Sequence, residues 1–124
     1  MRLITPMIAL LLASSGAWAE WVKVGETNTT EFYLDPSSVR HEKGLRRTLE
    51  VQNFKQRRNG GLHSMLIKGE YDCEAKSHRF LALSAHSEPM ATGQNLGASD
   101  TSSPWETVQP NTPFNGFFKV VCGR

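Results

Sequence analysis

The chain has 124 residues, 39% of them hydrophobic and 21% charged, with a formal net charge of +2. This length predicts one domain with a core of modest size and argues against several domains. A total positive charge this small also argues against a nucleic-acid-binding protein, particularly for an exported chain.

The first residues have the order of a secretory signal peptide. A basic Met1-Arg2 start precedes the apolar run 3–12, and Ala17-Trp18-Ala19 places alanine at both positions that signal peptidase reads. We therefore predict cleavage before Glu20, leaving residues 20–124 as a single domain. The apolar run is too short to cross a bilayer, which needs about 20 residues. No cysteine follows the cleavage point, so we expect a periplasmic or cell-surface protein without a lipid anchor or transmembrane segment.

The first half of the mature chain is predicted to form strands. Residues 20–24 and 29–34 are short strands, and Asp35-Pro36 begins a turn. Residues 45–54 alternate clearly between two faces. The apolar set Leu45, Leu49 and Val51 is expected to face the core, and the polar set (Arg46, Thr48, Glu50 and Gln52) is expected to face water.

The second half continues the sheet and then changes character. Residues 62–73 and 79–87 are predicted strands, which gives an antiparallel meander of about five strands. Residues 88–104 have little to bury and are predicted to form a long mobile loop. The fold class is therefore α+β, provided that the C-terminal segment is helical.

The C-terminal segment has the spacing of an amphipathic helix. Thr112 suits the N-cap and Pro113 the first helical position, and four apolar residues then follow one helical stripe: Phe114, Phe117, Phe118 and Val121. A final strand is the alternative, because residues 117–121 are also β-prone. We favour the helix and expect it to pack on the sheet.

The two cysteines, Cys73 and Cys122, are predicted to form a disulfide. Both belong to a chain with an export signal, and oxidising compartments favour cystine. A bond across 49 positions would stabilise the fold by about 4 kcal/mol in the chain-entropy account. Two buried free thiols are the alternative.

No motif predicts catalysis or metal binding. The four histidines (His41, His63, His78 and His86) lack metal-site spacing, and we expect them at the surface, with His41 and His78 in turns. Glu70, Asp72 and Glu74 share one strand face, which we expect to be solvated. We therefore predict no cofactor, no metal and no enzymatic activity. A hydrolase would need a polar cleft that brings His63 or His86 near Asp72.

One cluster of charge predicts a partner. Residues 40–58 carry seven basic side chains against two acidic ones, although the mature chain is nearly neutral. Sulfated glycans, acidic host proteins and anionic lipid head groups would suit such a region. The alternative is a hairpin tip kept soluble by its charge. The candidate ligand-binding residues are Arg46, Arg47, Lys55, Arg57 and Arg58.

Several motifs, taken together, resemble the surface-adhesin protein E family of Gram-negative bacteria. They are Trp21-Val22-Lys23-Val24, FYLDPSSV at 32–39, TLEVQNF at 48–54, EYDC at 70–73, Trp105 and the terminal KVVC at 119–122. The resemblance covers nearly the whole mature chain. It implies an antiparallel sheet with a C-terminal helix tied to it by a disulfide.

The resemblance also implies a function. It implies attachment to host extracellular-matrix or plasma proteins and dimerisation into a homodimer. The acidic glycan, in contrast, is a partner suggested by the basic cluster alone. The adhesin that gives the family its name resembles a lipid-anchored outer-membrane protein, whereas this chain lacks the lipidation cysteine. The alternative is a periplasmic structural or envelope accessory protein without a host ligand.

Overall fold

The structure is a computed structural model that describes residues 20–123. The predicted signal peptide lies outside the described residues. The strands are β1 (Val22–Glu26), β2 (Thr30–Leu34), β3 (Arg40–Glu42), β4 (Leu45–Phe54), β5 (Ser64–Asp72), β6 (Ser77–Glu88), β7 (Thr92–Ser99) and β8 (Glu106–Thr107), and the helix is α1 (Pro113–Cys122). Three 3-10 turns lie at Pro36–Ser38, Asn59–Gly61 and Pro89–Ala91.

The strands form one antiparallel sheet in the order β1-β2-β4-β5-β6-β7. The predicted α+β class and the meander are confirmed. The described residues contain eight strands, however, rather than about five. The short strands β3 and β8 pair with β4 and β6, respectively. His41, which was predicted in a turn, lies in β3.

The prediction that residues 88–104 form a loop was wrong. Thr92–Ser99 is strand β7, which pairs with β6 along one edge of the sheet. All eight of its residues are exposed, so its sequence carries no alternation between buried and exposed positions. Hydrogen bonds from the neighbouring backbone, rather than burial of side chains, define this strand, and the mobility of the segment stays a prediction.

The predicted C-terminal helix is confirmed. Phe117, Phe118 and Val121 are buried, and Phe114 packs edge-on against Phe32 with ring centroids 5.9 Å apart. Thr112 occupies the N-cap, but its hydroxyl donates to the Gln109 carbonyl instead of capping the helix. The prediction is therefore correct for the position of Thr112 and wrong for its role.

Gly116 has a packing role in this helix. A Cβ at this position would collide with the carbonyl oxygen of Val24 in β1. The absence of a side chain therefore lets the helix backbone approach the strand backbone closely. This contact seats α1 on the sheet and offsets the low helix propensity of glycine.

The predicted disulfide is confirmed. Cys73, directly after β5, is bonded to Cys122, the last residue of α1, with Cα atoms 5.6 Å apart. The described residues contain no free cysteine. The bond fixes the end of the helix to the end of a central strand.

The sheet has a face covered by α1, the helix face, and an opposite, open face. Phe32, Leu34 and Tyr71 lie on the helix face in one buried cluster with the helix. Because directly paired residues share a face, Gln52 and Glu50, the partners of Phe32 and Leu34, lie there too. The polar set of β4 therefore faces the helix, contrary to expectation, and Leu49 and Val51 lie on the open face. Val51 is nevertheless fully buried there, as expected of a core residue.

Candidate functional site

The structure divides the five predicted ligand-binding cations between the two ends of β4. Arg46 and Arg47 lie at its beginning, whereas Lys55, Arg57 and Arg58 follow its last residue. Eight strand positions separate Arg47 from Lys55, a distance of about 26 Å. The single basic region of the sequence is therefore two separate regions in the fold.

The two arginines at the beginning of β4 are poorly placed to bind a ligand. Arg46 lies on the helix face, and its Nε is buried without a hydrogen-bond partner among the described residues. Arg47 lies on the open face and is occupied by two carboxylates. Its Nε donates to Glu70 at 3.0 Å and its terminal nitrogen contacts Glu42 at 3.0 Å.

The other three cations surround the hairpin between β4 and β5, here called the hairpin tip (residues 55–61). Its backbone closes on itself through the Arg58 amide, which donates to the Leu62 carbonyl at 2.7 Å. The Lys55 amide donates to Thr29, which joins the tip to the β1–β2 turn. Arg58 is held by cation–π contact, with its guanidinium carbon 3.8 Å from the centroid of Phe54.

A cleft of about 540 Å³ opens at the hairpin tip. Its lining consists of Asn28, Thr29, Lys55, Gln56, Arg57 and Arg58. The lining therefore contains three cations, two amides and a hydroxyl, and no carboxylate. These groups suit an anionic ligand such as a carboxylate or a sulfate.

Two glutamates beside the cleft share these cations. Lys55 bonds to Glu26, and Arg57 lies 3.4 Å from Glu88 while also donating to the Ser87 carbonyl. Hydrogen bonds from Lys23 and then Lys55 lower the pKa of Glu26 to about 2. Glu26 is therefore ionised at physiological pH, and a ligand that binds Lys55 must compete with it.

The structure contradicts the expected surface position of His78. This residue is buried in β6, where its ring stacks against Phe114 with centroids 4.5 Å apart and faces Tyr71 at 5.9 Å. Burial lowers its pKa, with Glu106 acting in the opposite direction. His78 is therefore an apolar packing residue at neutral pH.

The structure also contradicts the solvated position expected for Glu70. Its side chain is buried on the open face between two arginines. Arg47 Nε lies 3.0 Å from Oε2, and two nitrogens of Arg79 lie 2.9 Å from Oε1. Arg79 in turn stacks over Trp105, with the guanidinium carbon 4.5 Å from the ring centroid. Arg47, Glu70 and Arg79 are directly paired across β4, β5 and β6. Their contact could therefore be predicted only from the register of three strands.

The groups that a hydrolase would need are not brought together. His86 pairs with Ser64 at the beginning of β5, and Asp72 lies at the end of the same strand. Eight strand positions between them correspond to about 26 Å. Within residues 20–123, no group of three histidine, cysteine or acidic side chains could hold a metal ion, and no helix is long and apolar enough to cross a membrane.

A family model and solved structures are similar to this chain. The family model described as surface-adhesin protein E matches residues 21–123. A structure of Haemophilus influenzae protein E in crystal form II superposes with a TM-score of 0.70 at 13% identity, covering 93% of this chain and 97% of that one. A second structure of that protein gives 0.65 at 11% identity, with 91% of each chain covered. Identities this low show the common fold alone. No curated protein sequence matches the chain significantly.

Proposed function

Because the chain belongs to the surface-adhesin protein E family, we propose that it is an exported bacterial binding protein that attaches to acidic host extracellular-matrix or plasma proteins. Membership of this family favours a binding protein over an enzyme. Export would use the predicted signal peptide 1–19, and residues 20–124 would form the adhesin domain. The proposed contact residues are those of the hairpin tip.

The cleft at the hairpin tip is the observation that carries this proposal. It places Lys55, Arg57 and Arg58 around one opening with neutral hydrogen-bonding groups between them. Arg46 and Arg47 are left out of the proposed site because they lie at the other end of β4. An acidic segment of a matrix protein or a sulfated glycan could bind here by several charge-assisted hydrogen bonds.

The test is binding of a triple variant, Lys55→Ser, Arg57→Ser and Arg58→Ser, to an immobilised acidic matrix protein and to a sulfated glycan. We expect slower association than for the wild type, and a smaller difference at high salt, since exposed charges are screened over about 8 Å at 0.15 M ionic strength. Equal association at low salt would reject the hairpin tip as the binding site.

The matched control removes the same charge at the opposite end of the sheet. Lys43, Lys76 and Lys119 are exposed there, and their triple serine variant keeps the hairpin tip intact. We expect this control to bind like the wild type, and thermal melts of both variants exclude unfolding. Protease treatment of intact cells supplies the second arm, because an adhesin must be accessible from outside, whereas a periplasmic accessory protein is protected.

A further inference from the structure

A second concave surface lies on the open face of the sheet, away from the hairpin tip. Leu49, Lys68 and Ala82 lie side by side on β4, β5 and β6. Two depressions of about 630 and 480 Å³ meet there, and both are lined by Leu49 and Lys68. We call the combined surface the open-face trough. Its aliphatic floor consists of Leu49, Leu66, Leu81, Ala82 and Ala98.

The two ends of the trough differ in charge. Arg40 and Arg47 line the smaller depression together with Lys68. The larger depression includes Asp100 and Thr101, which follow the last residue of β7. The trough therefore runs from a cationic end, across an aliphatic floor, to an end with one carboxylate and the Thr101 hydroxyl.

Two of the cations have no carboxylate partner within residues 20–123. Lys68 makes neither a salt bridge nor a side-chain hydrogen bond there, although it projects from a central strand between aliphatic neighbours. Arg40 donates only to the carbonyl oxygens of Ser37 and Val39, at 3.0 and 3.2 Å. These cations contrast with Arg47, which two glutamates occupy. Their charge is available to an anionic partner.

The dimensions suit a short extended chain. The trough crosses from β3 to β7, which is four strand spacings or about 19 Å. An extended peptide rises about 3.3 Å per residue, so about six residues span it. Shape therefore permits a peptide segment of a partner protein.

The polar lining favours a peptide over a single-chain lipid. An acyl tail in the larger depression would cover the hydroxyl group of Thr101 and the carboxylate of Asp100, which have no side-chain hydrogen bond within residues 20–123, and burying such groups unpaired is costly. The N–H groups of a peptide can donate to the Thr101 hydroxyl and the Asp100 carboxylate, and its C=O groups can accept from that hydroxyl. Asp100 also repels an anionic ligand at that end and favours a cationic one.

We propose that the open-face trough is a second docking site, separate from the hairpin tip, for an extended segment of a partner protein. The segment carries an aspartate or glutamate over Lys68 and Arg40, and small or aliphatic side chains over Leu49 and Leu66. A basic residue or an amino terminus lies near Asp100. This site goes beyond the proposed function, because the trough and the hairpin tip use different residues.

The test begins with a phage-displayed library of random hexapeptides, selected on the disulfide-bonded protein and counter-selected on its Lys68→Glu variant. We expect enrichment of peptides with one acidic residue between small or aliphatic ones. A synthetic peptide from the enriched set should bind the wild type about fivefold more tightly than Lys68→Gln, the upper range for a partly exposed ion pair. Replacing its acidic residue by the amide should cause the same loss.

Three controls make the result decisive. Ala98→Trp fills the trough at an exposed position on the edge strand and should abolish binding without lowering the melting temperature. The triple serine variant of the hairpin tip and Lys76→Gln should both bind the peptide like the wild type. Amide chemical shifts should move at Leu49, Leu66 and Ala82 on addition of peptide, and not at the hairpin tip.

Several outcomes would overturn the proposal. They are the absence of enriched peptides, equal binding by Lys68→Gln, and binding that survives Ala98→Trp. Dodecanoate that binds the trough more tightly than the peptides would identify it as a lipid site instead. Loss of peptide binding in the hairpin-tip variant alone would assign the peptides to the first site.

Discussion

The two faces of the sheet each bury one glutamate completely, and they accommodate its carboxyl group differently. Glu50 lies on the helix face and Glu70 on the open face, and both side chains are 0% exposed. Glu50 has two hydroxyl neighbours: Thr48 and Tyr71 each donate to its Oε2 at 2.7 Å. Glu70 has two arginine neighbours, Arg47 and Arg79.

The helix face offers no positive charge to Glu50. Its Oε1 has no hydrogen-bond partner among the described residues, and burial raises its pKa to about 7, although the bonds from Thr48 and Tyr71 act in the opposite direction. The same burial, with Glu50 beside it, raises the pKa of Tyr71 well above its usual value. Gly69 leaves room for this group, because a Cβ there would lie 2.7 Å from Glu50 Oε2.

The difference shows that burial alone does not define the charge of a carboxyl group. A face sealed by a helix favours the neutral acid, whereas the open face holds a carboxylate between cations that still reach water. Four changes test this comparison, from the largest expected effect to the smallest.

Removing the disulfide should uncover the helix face. We expect the double variant Cys73→Ser, Cys122→Ser to lose about 4 kcal/mol of unfolding free energy in urea denaturation, according to the chain-entropy account of a 49-residue separation. If the helix also detaches, Glu50 becomes hydrated and its pKa returns toward 4.5. Unchanged stability together with an unchanged Glu50 titration would show that the helix is held without the bond.

Replacing Glu50 by glutamine should stabilise the protein at alkaline pH. A pKa of about 7 in the folded chain, against 4.5 as the ordinary value, corresponds to about 3 kcal/mol. Below pH 4.5 the group is protonated in both states and contributes nothing. Between pH 4.5 and 7 only the folded chain retains the proton, so the unfolding free energy falls as pH rises, and above pH 7 the loss is complete.

The measurement is the stability difference between Glu50→Gln and the wild type at pH 5 and pH 8. The variant should be relatively more stable at pH 8. His78 contributes in the opposite direction, because its lowered pKa makes the fold less stable as pH falls, but this contribution is common to both proteins and cancels. A stability difference that is independent of pH would show that folding does not raise the pKa of Glu50.

Replacing Glu70 by glutamine should destabilise the protein. We expect a loss of about 2 kcal/mol, less than for a fully buried ion pair, because both arginine side chains keep some contact with water. Glu42→Gln is the matched control, since Glu42 contacts the same Arg47 at an exposed position and its loss should cost at most about 0.5 kcal/mol. Equal losses of unfolding free energy in Glu70→Gln and Glu42→Gln would show that the buried carboxylate of the open face is no more stabilising than an exposed one.

Replacing Thr48 by valine should have the smallest effect. It removes one of the two hydroxyl donors to Glu50, which should cost about 1 kcal/mol and raise the pKa of Glu50 further. Carbon-13 NMR of the Glu50 carboxyl group measures the titration directly. Thr107→Val, in exposed β8, serves as the control. A lower pKa in Thr48→Val would contradict the role given to this hydroxyl.

The sequence predicted those features that depend on local pattern or on chemistry. The helix followed from the spacing of Phe114, Phe117 and Val121, and the disulfide followed from two cysteines behind a predicted export signal. The strand β4 was located correctly from its alternation. The signals for the helix and for β4 each lie within a short stretch of chain. The disulfide prediction needed only the two cysteines and the predicted export signal.

The features that the sequence did not predict depend on neighbouring strands. The alternation of β4 favours Leu49 over Glu50 as the core position, but Phe32, Leu34 and Tyr71 decide which face the helix covers. Likewise Glu70 becomes buried because Arg47 and Arg79 flank it in the register of three strands. Of the candidate site, the hairpin tip could be predicted, and the separation of Arg46 and Arg47 from it follows from the predicted strand 45–54. The contacts of Arg47 with Glu42 and Glu70 required the pairing of β3, β4 and β5.

The contact between Gly116 and Val24 joins the first strand of the domain to its last helix. In the proposed export through the signal peptide the chain emerges from its amino end, so β1 and the rest of the sheet emerge before the residues that cover the helix face. Until Cys122 has emerged, Phe32, Leu34 and Tyr71 have no helix to pack against. Completion of this fold therefore waits for Cys122, and until then the incomplete sheet exposes an apolar, aggregation-prone surface.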